Sequence, residues 1–214
     1  MTERLFNEQD QSLLEEIMLQ RRDVRGNNFI DKPIENDVLE KILQAASLAP
    51  SVGFSQPWEF VIVRDDDIKK QVAQSFELEN AKAEQLFTDE KQKLYAKLKL
   101  EGILEAPINI AVVYKPSNKP VLGQNSMLET GEYSVVCAIQ NMWLMARALN
   151  VGIGWVSILD ANAVMKTLKA PADNKLVAYL CVGYVNEFLS VPELETMNWE
   201  KRKSIRSAVY DNTY

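Results

Sequence analysis

The chain has 214 residues, of which 47% are hydrophobic and 25% charged, and its 24 basic and 30 acidic side chains give a net charge of -6. This composition is typical of a globular protein and excludes a disordered chain, which lacks the apolar surface to offset the entropy lost on folding. The acidic balance argues against nucleic acid as a partner, because nucleic-acid binders usually carry a basic surface. We expect a single domain over residues 1–214, since this length suits one core.

The sequence contains no histidine, which excludes a Ser-His-Asp triad, a Cys-His dyad and any metal site with a histidine ligand. Proton transfer must therefore use another side chain or the ligand. Cys137 and Cys181 lie in apolar runs, which predicts buried thiols in a reducing compartment. No segment is apolar for long enough to span a bilayer, and the N-terminus is unlike a signal peptide. We therefore expect a cytoplasmic protein with no membrane partner. We also expect no metal.

The N-terminal part of the chain predicts two helices and a strand. Apolar residues recur at helical spacing over residues 9–21 and again over residues 37–48, a helix that Asn36 or Asp37 can cap. Aromatic and β-branched residues over 58–64 predict a strand.

The rest of the chain supplies most of the predicted core. Residues 65–104 are charged and helical in propensity, so we expect helices and a mobile cover there rather than core. The most apolar helix spans residues 132–149 and should be central. Apolar runs predict further strands, over residues 108–114, 153–159 and 175–184. Helices and strands alternate irregularly, which favours an α+β fold.

Three arginines surround Asp23 in the run Arg21-Arg22-Asp23-Val24-Arg25, at the end of the first predicted helix. Guanidinium groups match phosphate and ring-carbonyl oxygens, so this run could bind an anion. It is also typical of a solvated helix C-terminus, and the spacing alone favours that alternative. The cations would hold Asp23 in its ionised form. Asp23 could then act as a base or a hydrogen-bond acceptor, or it could simply be an ion-pair partner.

Three other segments could contribute to a ligand site. The loop over residues 49–58 is stiffened by two prolines and contains Ser51, but it could equally be a structural turn. Glycines at the start of a predicted strand, Gly154 among them, would let a flat ligand lie on the backbone, and Ser157 adds a hydroxyl that more commonly bonds nearby backbone. Arg202 lies in a basic group that could close on a phosphate only if the fold brings it to the N-terminal arginines.

In this order, these segments resemble the nitroreductase superfamily of FMN-binding proteins, and more narrowly its flavin-fragmenting branch. RRDVR together with GWVSIL distinguishes that branch from other nitroreductases. The resemblance covers nearly the whole chain from about residue 20. The matching runs are RRDVRG at 21–26, APSVGFSQPW at 49–58, LKLEGILEAP at 98–107, YSVVCAIQNMWLMARALNVGIGWVSIL at 133–159, VAYLCVGYV at 177–185, and PELE with the following Trp199 and Arg202.

The resemblance implies a nitroreductase-like fold, with a mixed central β-sheet flanked by helices, in an intertwined homodimer that binds FMN at its interface. It places Asp23 and Ser157 at the two catalytic positions, and Ser51 in the site of the other subunit. Arg202 would join the N-terminal arginines at the FMN phosphate. The FMN-binding residues that it implies are Arg21, Arg22, Asp23, Val24, Arg25, Pro50, Ser51, Gly53, Leu100, Gly154, Trp155, Val156, Ser157 and Arg202.

The implied reaction is the oxygen-dependent fragmentation of reduced FMN to 5,6-dimethylbenzimidazole, the lower ligand of cobalamin, and erythrose 4-phosphate. Reduced FMN is then a substrate, dioxygen a co-substrate, and a separate flavin reductase a partner. Residues 65–104 would form a lid and residues 185–214 a C-terminal extension. One alternative is an NAD(P)H-dependent FMN nitroreductase, against which Asp23 argues; another is a non-catalytic flavin-binding protein. Ser55 departs from the pattern, which commonly has a bulkier apolar residue there.

Overall fold

A four-stranded antiparallel sheet forms the centre of the molecule in our computed structural model, which describes residues 4–214. The strands stand in the order β1-β2-β4-β3. Every residue of β2 except its last is buried, as expected of a strand in the middle of a sheet covered on both faces. The strands are β1 (Trp58–Val63), β2 (Ile108–Tyr114), β3 (Gly152–Val156) and β4 (Lys175–Gly183).

Helices cover both faces of this sheet. Successive residues of a strand point to opposite sides, so each strand contributes side chains to both cores. On one face, Leu180 of β4 packs in a core with Ile42 and Met142 from two helices. On the other face, Tyr179 packs with Val72 in a second core. The helices are α1 (Glu8–Gln20), α2 (Asn36–Ser47), α3 (Asp66–Glu84), α4 (Asp89–Tyr95), α5 (Thr130–Ala148), α6 (Ala161–Thr167) and α7 (Glu193–Thr196).

This architecture confirms the α+β class, but two sequence predictions about its details are wrong. Among residues 4–214, all three strand pairs are antiparallel. The one parallel pairing there is a single bridge between Asp23 and Ile153, and it does not extend into a strand. The residue that caps α2 is Glu35, which makes no side-chain cap hydrogen bond; Asn36 and Asp37 already lie inside the helix.

The region 65–104 is helical as predicted, but the expectation that it contributes no core is wrong. Val72 of α3 and Ile103 are fully buried. Lys69 is also buried, and its Nζ donates to the carbonyl oxygens of Ala106 and Pro107 at 2.9 and 3.2 Å. The helix α3 is therefore a fixed layer against the sheet.

The two cysteines differ in burial. Cys181 is buried in β4, as predicted, whereas Cys137 is exposed on the outer side of α5. This face of α5 also exposes Tyr133 and Val136, so the helix is central without being covered all round. Within residues 4–214, no helix is both long and apolar enough to cross a bilayer.

Candidate functional site

The run that contains Asp23 lies along the free edge of β3. The backbone N–H of Val24 donates to Ile153 O at 3.0 Å, and the Trp155 N–H donates to Asp23 Oδ1 at 2.9 Å. A Cβ on Gly154 would lie 2.1 Å from the carbonyl oxygen of Val24, so only glycine permits this approach. Gly154 thus makes room for the Asp23 segment, and its part in binding a flat ligand stays a prediction.

Asp23 is partly buried, and 34% of its side-chain surface remains accessible to a ligand. Its Oδ2 pairs with Arg25, whose Nη1 also donates to Trp155 O at 3.3 Å. Burial raises the pKa of Asp23; Arg25, the Trp155 N–H and Arg21 oppose this rise, while Glu193 adds to it. The sequence predicted that the cations would dominate, but desolvation outweighs them.

Arg22 is buried, and its guanidinium bonds to backbone rather than to a carboxylate. Its Nη1 donates to the carbonyl oxygens of Leu19 and Arg21 at 2.6 and 2.7 Å, and these hydrogen bonds cap the end of α1. Its Nη2 donates to Ser190 O. Its Nε is buried with no hydrogen-bond partner among residues 4–214. One N–H of Arg22 is therefore buried and unsatisfied within this part of the chain.

Four arginines concentrate positive charge around this point. Desolvation and the charges of Arg21, Arg202 and Arg147 all lower the pKa of Arg22. Across the described part of the chain, none of the four lies within 4 Å of a carboxylate. The fold thus brings the exposed Arg202 near the N-terminal arginines, a pairing that sequence alone could not show. A cluster of cations without counter-ions fits an anionic group such as a phosphate.

The side chains of Arg21 and Trp143 stack beside this cluster. The Arg21 guanidinium carbon lies 4.8 Å from the centre of the Trp143 ring. That ring is held in turn, because its Nε1 donates to Arg22 O at 3.1 Å. Trp155 is half-buried, with its ring 6.3 Å from that of Trp143.

A cavity of about 160 Å³ opens beside this segment, lined by residues 22–25, Asn27 and Asn28 on one side and by residues 187–189 and Glu193 on the other. The second wall belongs to the C-terminal extension. Sequence reasoning missed this wall; the PELE run was the one signal that pointed to Glu193.

Three other predicted site residues lie near this edge of the sheet. Leu100 is half-buried. The carbonyl oxygen of its neighbour Glu101 accepts the Gly26 N–H at 2.8 Å, and this bond brings Leu100 close to the end of the arginine run. Val156 is buried at the end of β3. Ser157 is exposed immediately after it, so the prediction of a strand over 153–159 is wrong beyond residue 156. The chain turns there, since the Leu159 N–H donates to Ser157 O.

The loop that contains Pro50, Ser51 and Gly53 lies at the opposite edge of the sheet, because it leads directly into β1. Strands β2 and β4 separate that edge from β3, a distance of about 14 Å at ordinary strand spacing. Gly53 has φ +54°, and a Cβ there would lie 2.7 Å from Leu122 O, so both conformation and packing favour glycine. One chain does not bring this loop to the arginine run.

Comparison with known proteins gives consistent matches. The nitroreductase family matches residues 18–184. The chain is 43% identical to 5,6-dimethylbenzimidazole synthase from Rhodospirillum rubrum over 93% of this chain and 94% of that protein. It is also similar to the structures of a BluB-like flavoprotein from Clostridium difficile 630 (TM-score 0.70, 20% identity, 94% of this chain and 99% of that one) and of oxidised iodotyrosine deiodinase bound to FMN and 3-iodo-L-tyrosine (TM-score 0.74, 21% identity, 94% and 100%).

Proposed function

The chain belongs to the nitroreductase family, and we propose that it catalyses the oxygen-dependent fragmentation of reduced FMN to 5,6-dimethylbenzimidazole and erythrose 4-phosphate. The observation that carries this proposal is the environment of Asp23. It is a carboxylate fixed by the Trp155 N–H and Arg25, raised in pKa by burial, and accessible from a cavity beside an arginine cluster. The similarity to a curated synthase over nearly the whole chain supports the same activity.

The arginine cluster would hold the phosphate of FMN. Arg21 and Arg202 would contact the phosphate, and the buried Arg22 would add its charge. Arg25 would contact the pyrimidine edge, beside Asp23. The remaining residues would lie against the ring: Val24, Leu100, Gly154, Trp155, Val156 and Ser157 from one subunit, and Pro50, Ser51 and Gly53 from its partner.

Bound reduced FMN supplies the ring system and the ribityl carbon that become the product, and dioxygen is the co-substrate. The protein's part is to hold the substrate, limit access of water and accept a proton. Asp23 is suited to accept it, since its raised pKa makes it a stronger base than an ordinary carboxylate. Ser157 is exposed at the end of β3, where one hydrogen bond from its hydroxyl would orient a reactant.

Access to this site would depend on the part of region 65–104 that lies outside the core. We propose that α4 and the residues leading to Leu100 form the lid. A separate flavin reductase would supply reduced FMN. The protein would work in the cytoplasm, in keeping with its two free thiols.

The proposed site needs two subunits, because its two halves lie at opposite edges of the sheet in one chain. Exposed apolar side chains provide a surface for a second copy. They lie on α1, on α5 and in the C-terminal extension: Leu13, Leu14, Met18, Leu19, Tyr133, Val136, Ile205, Val209 and Tyr210. Exchange of the extension between copies would give the intertwined homodimer.

The activity is tested by incubating the protein in air with reduced FMN from a separate reductase and measuring 5,6-dimethylbenzimidazole by mass. Asp23→Asn should retain FMN binding and lose product formation by at least about a hundredfold, the usual contribution of a positioned base. The exposed Asp31→Asn is the matched control and should behave like the parent. Unchanged product from Asp23→Asn would exclude Asp23 as the base.

The two-subunit site is tested by complementation. Sedimentation should give about twice the chain mass of 24.3 kDa. Asp23→Asn and Gly53→Val should each be inactive alone, because each disables a different half of every site. After unfolding and refolding together, mixed dimers contain one intact site, and about a quarter of the parent activity should return. No recovery from a mixture shown to contain mixed dimers would mean that each site is built from one chain.

A further inference from the structure

We propose that Glu193, at the start of α7, is a positioning residue that acts through Asp23 from the opposite wall of the cavity that both residues line. This inference rests on the proposed function, in which Asp23 is the base. It assigns a role to the C-terminal extension beyond carrying Arg202.

The extension is fixed to the Asp23 segment at several points, so the approach of Glu193 is built into the fold. Val185 forms a bridge with Phe29, and the Asn186 N–H donates to Asn28 O at 3.0 Å. Further along the chain, Arg22 Nη2 donates to Ser190 O. These contacts form the wall of the cavity that ends at the half-buried Glu193.

Phe188 adds a second attachment of the same wall. The guanidinium carbon of Arg147 lies 4.1 Å from the centre of the Phe188 ring. The Nε of Arg147 donates to Gln20 O at 2.9 Å, at the end of α1. Arg22 and Arg147 therefore join the same two elements, the end of α1 and the extension, and hold α7 in place over the cavity.

Charged groups act on Asp23 from its own segment and from α7. Arg25 and Arg21, on its own segment, favour its ionised form, and so does the Trp155 N–H of β3. Glu193 is the carboxylate that opposes ionisation. Two other charged side chains, those of Arg22 and Glu187, line the same cavity. A change at Glu193 alone should therefore have a defined sign.

A negative charge facing a carboxylate makes its ionisation less favourable and increases its affinity for a proton. With Glu193 ionised, Asp23 accepts a proton more readily than the arginines alone would allow. Without that charge, less opposes the effect of Arg25 and Arg21, and Asp23 becomes a weaker base. The effect on catalysis should fall on kcat more than on the KM for reduced FMN.

The direct test is a titration of Asp23 by NMR in protein labelled with ¹³C at the aspartate carboxyls, with the Asp23 signal assigned by its loss in Asp23→Asn. In Glu193→Gln the titration midpoint should move to lower pH, and in Glu193→Asp it should stay near that of the parent. Glu195→Gln, on the same short helix, is the matched control and should leave the midpoint unchanged. An unchanged midpoint in folded Glu193→Gln would overturn the inference.

Activity gives a second readout, which a purely structural role would not produce. Glu193→Gln should lower kcat several-fold, and the acid limb of its pH profile should move to lower pH by the same amount as the midpoint. If the parent protein forms no 5,6-dimethylbenzimidazole, the proposed function fails, while the titration still decides whether Glu193 acts on Asp23. If the parent forms product and Glu193→Gln keeps its profile, only the inference about Glu193 fails.

Discussion

Gly154→Ala tests whether the contact between the Asp23 segment and β3 is essential. The new Cβ would lie 2.1 Å from Val24 O, and real Cβ contacts essentially never fall below 3.0 Å, so the segment must move by about 1 Å. That movement disrupts the Val24–Ile153 and Trp155–Asp23 hydrogen bonds, at about 1 kcal/mol each. Residual overpacking adds at least about 1 kcal/mol. We expect the free energy of unfolding to fall by about 3 kcal/mol.

Urea denaturation measures this loss, and Gly152→Ala is the matched control on the same strand. A Cβ at Gly152 would meet methyl groups of Val185 and Val24, at 2.6 and 2.9 Å, rather than a backbone carbonyl. Those methyl groups can shift, so the control should lose about 1 kcal/mol. Folded Gly154→Ala should also form no product, since Asp23 is displaced.

A loss below about 0.5 kcal/mol in Gly154→Ala would refute this reasoning, because a change of that size is typical of surface substitutions. Equal losses in Gly154→Ala and Gly152→Ala would show that the Val24 carbonyl has no special part. Full activity in Gly154→Ala would show that the position of Asp23 relative to β3 does not matter.

Two further predictions concern buried and exposed cations. Lys69→Met should lower the free energy of unfolding, measured in urea, by about 2 kcal/mol, because it leaves two carbonyl oxygens without their donor. The exposed Lys70→Met is the control and should change this free energy by no more than about 0.5 kcal/mol. Equal effects would contradict the role of Lys69 as the donor to these carbonyls. Arg202→Ala should weaken FMN binding by about tenfold or more, as expected for a charge-assisted phosphate contact, with little effect on riboflavin. Equal losses for the two flavins, measured by fluorescence titration, would remove Arg202 from the phosphate site.

Local sequence patterns predicted much of the fold. The near-continuous apolar run at 108–114 coincides with β2, and helical spacing places α1 within one residue at each end. The strand predicted over 153–159 is shorter, because an apolar run does not show where the chain turns after Val156. The exposure of Cys137 was missed for a related reason: composition shows that α5 is apolar, but not which of its faces the same chain covers.

The site itself depends on contacts between residues far apart in the sequence. Trp155 and Asp23 are 132 positions apart, and Arg22 and Ser190 are 168 positions apart. The sequence identified Asp23 and its arginines as candidates, but not that burial would outweigh the cations and raise the pKa of Asp23. The approach of Glu193 was equally hidden, because it follows from the attachment of the C-terminal extension to the segment before it.

The most direct measurement is the fate of the flavin. The purified protein is incubated in air with reduced FMN that a separate reductase supplies, and the products are identified by mass. We expect 5,6-dimethylbenzimidazole, formed by the parent and lost in Asp23→Asn. Recovery of all the flavin as intact oxidised FMN would contradict it, and NAD(P)H oxidation with a nitroaromatic acceptor would then identify a reductase.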